Sequence, residues 1–375
     1  MDPCAWIERL VALTRARTLD TPAESEAWLL SAYGADSHSA WADWLISSQP
    51  QLRWRRLELP GRHFRWRIRG NPLSWLDRLP SGVPDLIVAT SMVDLATLRG
   101  LFPRLARVPA IYYFHENQFA YPLGASQHPS VEPQMVQIYG ALAAQSILFN
   151  SRFNRDSFLE GVDALMAKMP DATPIGLRER LTARARVCPV PIEPVATAPD
   201  KDERLILWNH RWEYDKAPDL FADAILAAAE TGADFRLALL GARTPSAPDA
   251  LARLRNSLGG RIVADGRVDR VTYRRILGRA SIVVSTALHE FQGLAVLEAA
   301  SAGARPLVPD ALCYPEQYPV AYRYPPGDSA ALAQRLRDWL SGGLPGQVDV
   351  SAWYVASLHG AWRCCLAEGQ KQHVE

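Results

Sequence analysis

Net charge is nearly absent: 41 Lys and Arg against 40 Asp and Glu leave +1 over 375 residues. No global field therefore announces a polyanion or a membrane surface, and any such partner has to be met by local clusters. Cysteine is scarce and badly spaced for structure. The five, Cys4, Cys188, Cys313, Cys364 and Cys365, are odd in number and form no C-x-x-C pair. That argues against a disulfide framework and a structural zinc site, and it fits a reducing cytoplasm. No run approaches the about 18 consecutive apolar residues of a membrane-crossing helix, and no apolar segment followed by a cleavage site stands at the N-terminus. The expectation is a cytoplasmic protein, neither exported nor embedded.

What is present is the composition of a soluble enzyme, 48% hydrophobic and 22% charged. The length is comfortable for two domains, each with its own core. The most informative stretch runs from Val283 to Pro319, VVSTALHEFQGLAVLEAASAGARPLVPDALCYPEQYP. It opens on a buried parallel strand, passes His289 and Glu290 at the strand's carboxyl end, and continues through Phe291-Gln292-Gly293 into an apolar helix, about 294–302. Within that helix Glu298 is the one carboxylate. A buried carboxylate without a partner is costly, so Glu298 needs a partner or a cavity. Glu290 and Glu298, eight residues apart, both suit the space beyond strand ends where open α/β sheets bind ligands. Backbone amides of the Phe-Gln-Gly turn offer a seat for phosphate, and Gly293 permits close approach. The plainer alternative has Glu290 capping the helix and Glu298 paired with an arginine.

The rest of the chain alternates strand and helix. A helix is expected at 4–17. A strand at 27–33 leads through Gly34-Ala35-Asp36 to a helix from about Ser37 that carries His38, Trp41 and Trp44. From Arg53 to Arg69 the chain reads RWRRLELPGRHFRWRIR, arginines interleaved with aromatics. That composition suits phosphates and unstacked bases of an RNA loop; the alternative is a sheet edge whose arginines are solvated or paired. Tyr112-Tyr113-Phe114 ends in His115, Glu116, Asn117 and Gln118, four polar residues at the end of a buried strand, where such sheets place site residues. A proline-rich connector, 189–199, separates two halves. Asp200-Lys201-Asp202 after it is read as solvated charge rather than a metal site. Beyond it RLILW forms a strand, and the turn that follows holds Arg211 and Lys216, able to bracket a diphosphate without a divalent ion.

Three stretches, YYFHENQFAYP at 112–122, WNHRWEYDKAP at 208–218 and STALHEFQGLAVLEA at 285–299 with the later YPEQYP, together resemble the tRNA-queuosine mannosyltransferase family. Those are retaining glycosyltransferases of the GT-B type that transfer mannose from GDP-mannose to queuosine in a tRNA anticodon. The resemblance implies an α/β fold of two Rossmann-like domains facing across a cleft. Residues 1–190 would form the acceptor (tRNA) domain and 200–348 the nucleotide-sugar domain, with a helix in 349–375 packing back on the first. It implies a catalytic pair of His115 beside the sugar and Glu290 on its hydroxyls. Donor contacts would be Arg211, Lys216, Glu298 on the ribose, Gly293, Phe291 and Gln292. Acceptor contacts would be His38, Glu116, Asn117, Gln118, Arg53, Arg65 and Arg67. No metal and no cofactor is expected beyond GDP-mannose as donor substrate, the partner is queuosine-containing tRNA, and retention is implied. The first loop departs from the Gly-Gly-Ser-His form of relatives, reading Gly34-Ala35-Asp36-Ser37-His38. Competing functions are a GT-B glycosyltransferase acting on a lipid or polysaccharide, a non-catalytic RNA-binding protein on the same scaffold, and a GT-B-fold epimerase.

Overall fold

The computed structural model describes residues 25–121, 130–243 and 249–371; the helix expected at 4–17 lies outside them, as does Pro122. The described chain divides into two compact units, one of residues 25–190 with 358–371 and one of residues 191–357. Each is built on a six-stranded sheet in which every pairing is parallel. The α/β class and the pair of Rossmann-like sheets expected from the sequence are found.

In the first unit the strands are β1 (Glu26–Gly34), β2 (Arg53–Pro60), β3 (Leu86–Thr90), β4 (Ala110–Phe114), β5 (Ser146–Phe149) and β6 (Ala185–Val187), ordered β2-β1-β3-β4-β5-β6. Those of the second are β7 (Asp202–Trp208), β8 (Arg236–Leu239), β9 (Ile262–Asp265), β10 (Ala280–Val284), β11 (Arg305–Pro309) and β12 (Arg323–Tyr324), ordered β12-β11-β10-β7-β8-β9. LIVAT, AIYYF and ASIVV are buried at every residue, as strands covered by helices on both faces require, which is why they read as continuous apolar runs. Each sheet starts near its middle, grows one way, then jumps back. The jumps place a switch point between β1 and β3, where Leu29 pairs with Val88, and another between β7 and β10, where Leu207 pairs with Val283. Loops leaving adjacent strands in opposite directions open a crevice at their carboxyl ends. The loops after β7 and β10 carry Arg211, Lys216 and Glu290, and the helix that follows the second loop carries Glu298.

The connector is not a slack linker. The Val195 amide donates to Ser301 Oγ at 3.0 Å, Thr197 Oγ1 to Ala302 O at 3.0 Å, and the Ala198 amide to Gly278 O at 3.1 Å. The reading of Asp200-Lys201-Asp202 as solvated charge is corrected in two of its three residues. Lys201 Nζ donates to the carbonyls of Gly278, Ala280 and Ala302 at 3.3, 2.8 and 3.1 Å, and burial, with Arg305 nearby, lowers its pKa to about 8. Asp202 is buried as the first residue of β7 and pairs with Arg236 at 2.5 Å. Only Asp200 is exposed, against Arg279 at 3.0 Å.

The arginine-aromatic stretch does not form one strip. It splits into the edge strand β2 and the helix Phe64–Ser74, and acids distant in sequence take up most of its charge. Glu26 holds Arg53 at 2.5 Å and Arg55 at 3.1 Å, Arg56 lies between Asp43 and Glu58, and Arg69 pairs with Asp94. Arg67 donates to Ser74 Oγ at 3.4 Å, while Arg65 and Trp66 stand exposed on the helix. The helix Val355–Lys371 closes the first unit: Trp362 is fully buried, its indole donating to Pro189 O at 2.8 Å, and Glu368 pairs with Arg186 at 2.5 Å.

Candidate active site

Each unit carries one cluster of chemically capable residues at the carboxyl ends of its strands. In the second unit the centre is the Lys216 ammonium. It donates to His289 O at 2.7 Å and lies 3.2 Å from both Glu290 Oε2 and Asp215 Oδ2. Burial alone would discharge this lysine, but Glu290 and then Asp215 outweigh it and hold its pKa above the ordinary value. For Glu290, burial pushes the carboxyl up, while Lys216, His210 and the Gly293 amide pull it down to about 2. The pair is therefore ionised at every physiological pH. His210 and His289 are both buried, and burial followed by Lys216 lowers each to about 4, so the imidazoles are neutral.

The Phe-Gln-Gly turn differs from the sequence reading in one respect. Its first amides do not wait for a phosphate, because Glu290 Oε1 accepts from Phe291 N at 3.1 Å and Gln292 N at 3.4 Å. The anion in that nest is the protein's own. Phe291 and Gln292 are themselves buried, and their amides hold Glu290. Gln292 O accepts from Gln317 at 2.6 Å, and Tyr314 OH shares a hydrogen with Ser285 Oγ at 2.7 Å. YPEQYP is thus the floor under the turn. Gly293 sits at φ +66° as N-cap of the helix Leu294–Ser301, and a Cβ there would stand 3.0 Å from the Tyr314 ring. The next amides, Leu294 and Ala295, have no partner among the described residues, which moves the anion-binding end of the helix one turn inward.

Glu298 is satisfied by a tyrosine rather than an arginine. Tyr273 OH donates to its Oε2 at 3.1 Å, and Asn209 Nδ2 donates to Tyr273 OH at 3.1 Å and to Ala295 O at 3.0 Å. Burial raises the Glu298 carboxyl, with Tyr273, Arg274 and Arg270 opposing. Tyr273→Phe removes the largest opposing influence, so the carboxyl titrates higher. If the ionised form binds donor, the acid limb of kcat/KM moves to higher pH, and donor KM rises about fivefold to tenfold, the worth of one hydrogen bond. A pH profile of the purified variant measures both.

In the first unit His115 follows β4 directly. It is buried, its ring stacks on His38 with centroids 4.1 Å apart and 15° between planes, and Trp41 and Tyr113 stand edge-on at 4.6 and 4.7 Å. Burial and then His38 hold its pKa well below the ordinary histidine value, and its Nε2 has no hydrogen-bond partner. His38 Nδ1 donates to Tyr33 O at 3.2 Å. Gly34, at the turn before it, is fixed by close approach: a Cβ would meet the Glu58 carboxyl at 2.6 Å, and Ser39 donates to the same group at 3.1 Å.

Among the four polar residues after β4, Asn117 is corrected. It is fully buried, donates to Asn154 O, Asn154 Oδ1 and Ser157 Oγ, and accepts from the amides of Phe119 and Ala120. It shapes the loop and has no capacity left for an acceptor. Glu116 and Gln118 remain half-buried, 3.4 Å apart, with Gln137 bracing the backbone of both. Sequence reading missed Asp215, His210, Asn209 and Tyr273, and named His289 without giving it a role. Asp215 had a signal, a carboxylate beside the site lysine; Tyr273, in a helix distant in the chain, had none.

Residues 26–192 match a family model described as tRNA-queuosine alpha-mannosyltransferase N-terminal, and residues 203–342 match one described as glycosyl transferases group 1. A Drosophila melanogaster protein named tRNA-queuosine alpha-mannosyltransferase is 35% identical over 292 residues, 74% of this chain and 77% of its own. Among solved structures, Anabaena HepE in complex with UDP matches at TM-score 0.61 and 13% identity, over 93% of this chain and 95% of that one. The lipopolysaccharide outer core galactosyltransferase WaaB matches at 0.62 and 12%, over 92% and 99%. Sucrose-phosphate synthase from Thermosynechococcus elongatus matches at 0.62 and 14%, over 93% and 97%. At these identities the likeness is one of fold, and that fold is GT-B. The chain is a glycosyltransferase, and it belongs to the tRNA-queuosine alpha-mannosyltransferase family.

Proposed function

We propose that this enzyme transfers mannose from GDP-mannose to the cyclopentene diol of queuosine in a tRNA anticodon, with retention and without a metal ion. The observation that carries the reading is the ionised Lys216–Glu290 pair at the β7/β10 switch point, in a chain of this family. Lys216, Arg211 and the Leu294 and Ala295 amides take the diphosphate, a preorganised cradle for the charge that grows as the sugar leaves. Glu298 binds the ribose hydroxyls. Both oxygens of Glu290 are committed, one to amides and one to Lys216, which suits a fixed anion beside a cationic sugar better than a nucleophile. Retention then follows a front-face course. The bond from C1 to the phosphate oxygen breaks, the acceptor oxygen bonds to C1 from the same face, and its proton passes to the departing phosphate oxygen.

His115, a neutral group, is the residue the family resemblance assigns to the sugar, and Glu116, Gln118, His38, Arg65 and Arg67 are those it assigns to the acceptor. Arg53, tied to Glu26, contributes through the pair at the sheet edge. Among the described residues no helix is long and apolar enough to cross a membrane, and the scattered cysteines support a cytoplasmic site of action.

The test is to incubate the protein with GDP-mannose and tRNA from cells that make queuosine or cannot, then weigh the digested nucleosides. A hexose on queuosine, found only with competent tRNA, is the expected result. Addition only from another nucleotide sugar would change the donor, and silence with every donor on both tRNAs would remove the tRNA acceptor. Inverted stereochemistry in the product would sink the front-face course.

A further inference from the structure

The lysine at the donor site is held by more acid than diphosphate binding asks for. The Lys216 ammonium donates to the His289 carbonyl and to Glu290 Oε2, and Asp215 Oδ2 lies 3.2 Å away as a second ion-pair partner. With two carboxylates around one ammonium, this buried knot has a net negative charge before any diphosphate arrives. Asp215 is 1% exposed, and its Oδ1 is buried with no hydrogen-bond partner. Its carbonyl meanwhile accepts the amides of Leu288 at 2.8 Å and His289 at 3.3 Å, and Thr286 Oγ1 donates to Lys216 O at 2.7 Å. The turn Tyr214–Lys216 is therefore stapled through its backbone to the loop that presents Glu290. On the turn itself the staple uses only main-chain atoms, so the side-chain charge of Asp215 is not needed for it, and a buried carboxylate with an orphan oxygen is a cost that asks for another reason.

We propose that Asp215 is a positioning residue that keeps Lys216 charged and aimed while the donor site is empty, and yields the ammonium to the donor diphosphate on binding. The inference rests on the donor-site reading above. A lysine buried as this one is loses its proton unless anions oppose burial, and here they do from two elements: Asp215 on the same turn and Glu290 on the loop after β10. The other groups facing it give no such help. His210, from the end of β7, and His289 are neutral imidazoles, Arg211 is a second cation paired with Glu213 at 3.2 Å, and burial holds the Cys313 thiol neutral. When a diphosphate supplies the counter-charge, Asp215 becomes dispensable to the ammonium, so exchange of one anion for another costs little.

The experiment compares kcat/KM against pH for the wild type, Asp215→Asn and Lys216→Ala, with thermal unfolding and GDP affinity of each. Asp215→Asn keeps the shape and the main-chain staple but loses the charge. It is expected to unfold near the wild-type temperature and to begin losing activity on the alkaline side about one pH unit or more below the wild type, one unit being a tenfold change in the ammonium's protonation equilibrium. An Asp215→Asn profile superimposable on the wild type, with or without a lower unfolding temperature, overturns the proposal and leaves the donor site standing, provided Lys216→Ala is inactive. Wild-type turnover in Lys216→Ala overturns both.

Discussion

Lys216→Ala and Glu290→Ala are each expected to lower sugar transfer by about a thousandfold, the scale of removing one preorganised charge-stabilising group. The two substitutions should part company in stability. Removing Lys216 leaves Asp215 and Glu290 facing each other in a buried site, and breaking a buried pair in this way costs about 3–5 kcal/mol. For a unit of this size that is roughly a 10 °C drop in unfolding temperature. Removing Glu290 leaves Lys216 with Asp215 still 3.2 Å away, so the ammonium keeps a counter-charge, and the loss falls on the Phe291 and Gln292 amides. Activity and thermal unfolding on the same preparations separate the two. Near-normal turnover in either would mean that the donor site lies elsewhere.

Gly241→Ala should be the most destabilising single methyl group in the second unit. Gly241 sits at φ +102° just past β8, and a Cβ there would stand 1.9 Å from the carbonyl oxygen of His210 and 2.7 Å from its carbonyl carbon. Those are backbone atoms, so nothing flexible can swing aside. Left-handed strain and overlap together place the cost at about 4 kcal/mol or more, in the range reserved for such mechanisms. His210 and Arg211 would have to move with the displaced backbone, so donor affinity should fall with the unfolding temperature. Gly82→Ala, with nothing within 4 Å of the added atom, is the matched control and should stay within about 0.5 kcal/mol of the wild type. A Gly241→Ala protein as stable as that control would show that the loop after β8 does not lean on the loop after β7.

The strands were legible because they are buried on both faces and so spell continuous apolar words, LIVAT, AIYYF and ASIVV. The polar residues that follow such strands, His115 directly after β4 and Glu290 six residues after β10, were legible as candidates for the same reason. What local sequence could not convey is how a polar group spends its hydrogen bonds. Asn117 looked like a ligand contact and is consumed by Asn154, 37 residues on. The open amides of the Phe-Gln-Gly turn are closed by Glu290, whose orientation is set by Lys216, 74 residues earlier in the chain. Lys201 looked solvated, yet three carbonyls from two separate stretches, 278–280 and Ala302, enclose it. The arginines at 53–69 looked available because Glu26, Asp43 and Asp94 lie outside the window. In each case the deciding partner comes from another element, and tertiary context overrides the local pattern.

The helix Val355–Lys371 gives the order of synthesis a structural meaning. Trp362 packs on Trp41 and Tyr113 at 5.6 and 5.0 Å, the same two rings that stand edge-on to His115. A growing chain releases residues 25–190 from the ribosome first, yet their aromatic platform is complete only when residues 358–371 emerge, after the whole second unit. The first unit is therefore discontinuous in the chain, completed only after the second unit has been synthesised, which departs from simple domain-by-domain folding in order of translation. The imidazole at its strand end acquires its full aromatic setting only at the end of synthesis, when Trp362 joins Trp41 and Tyr113.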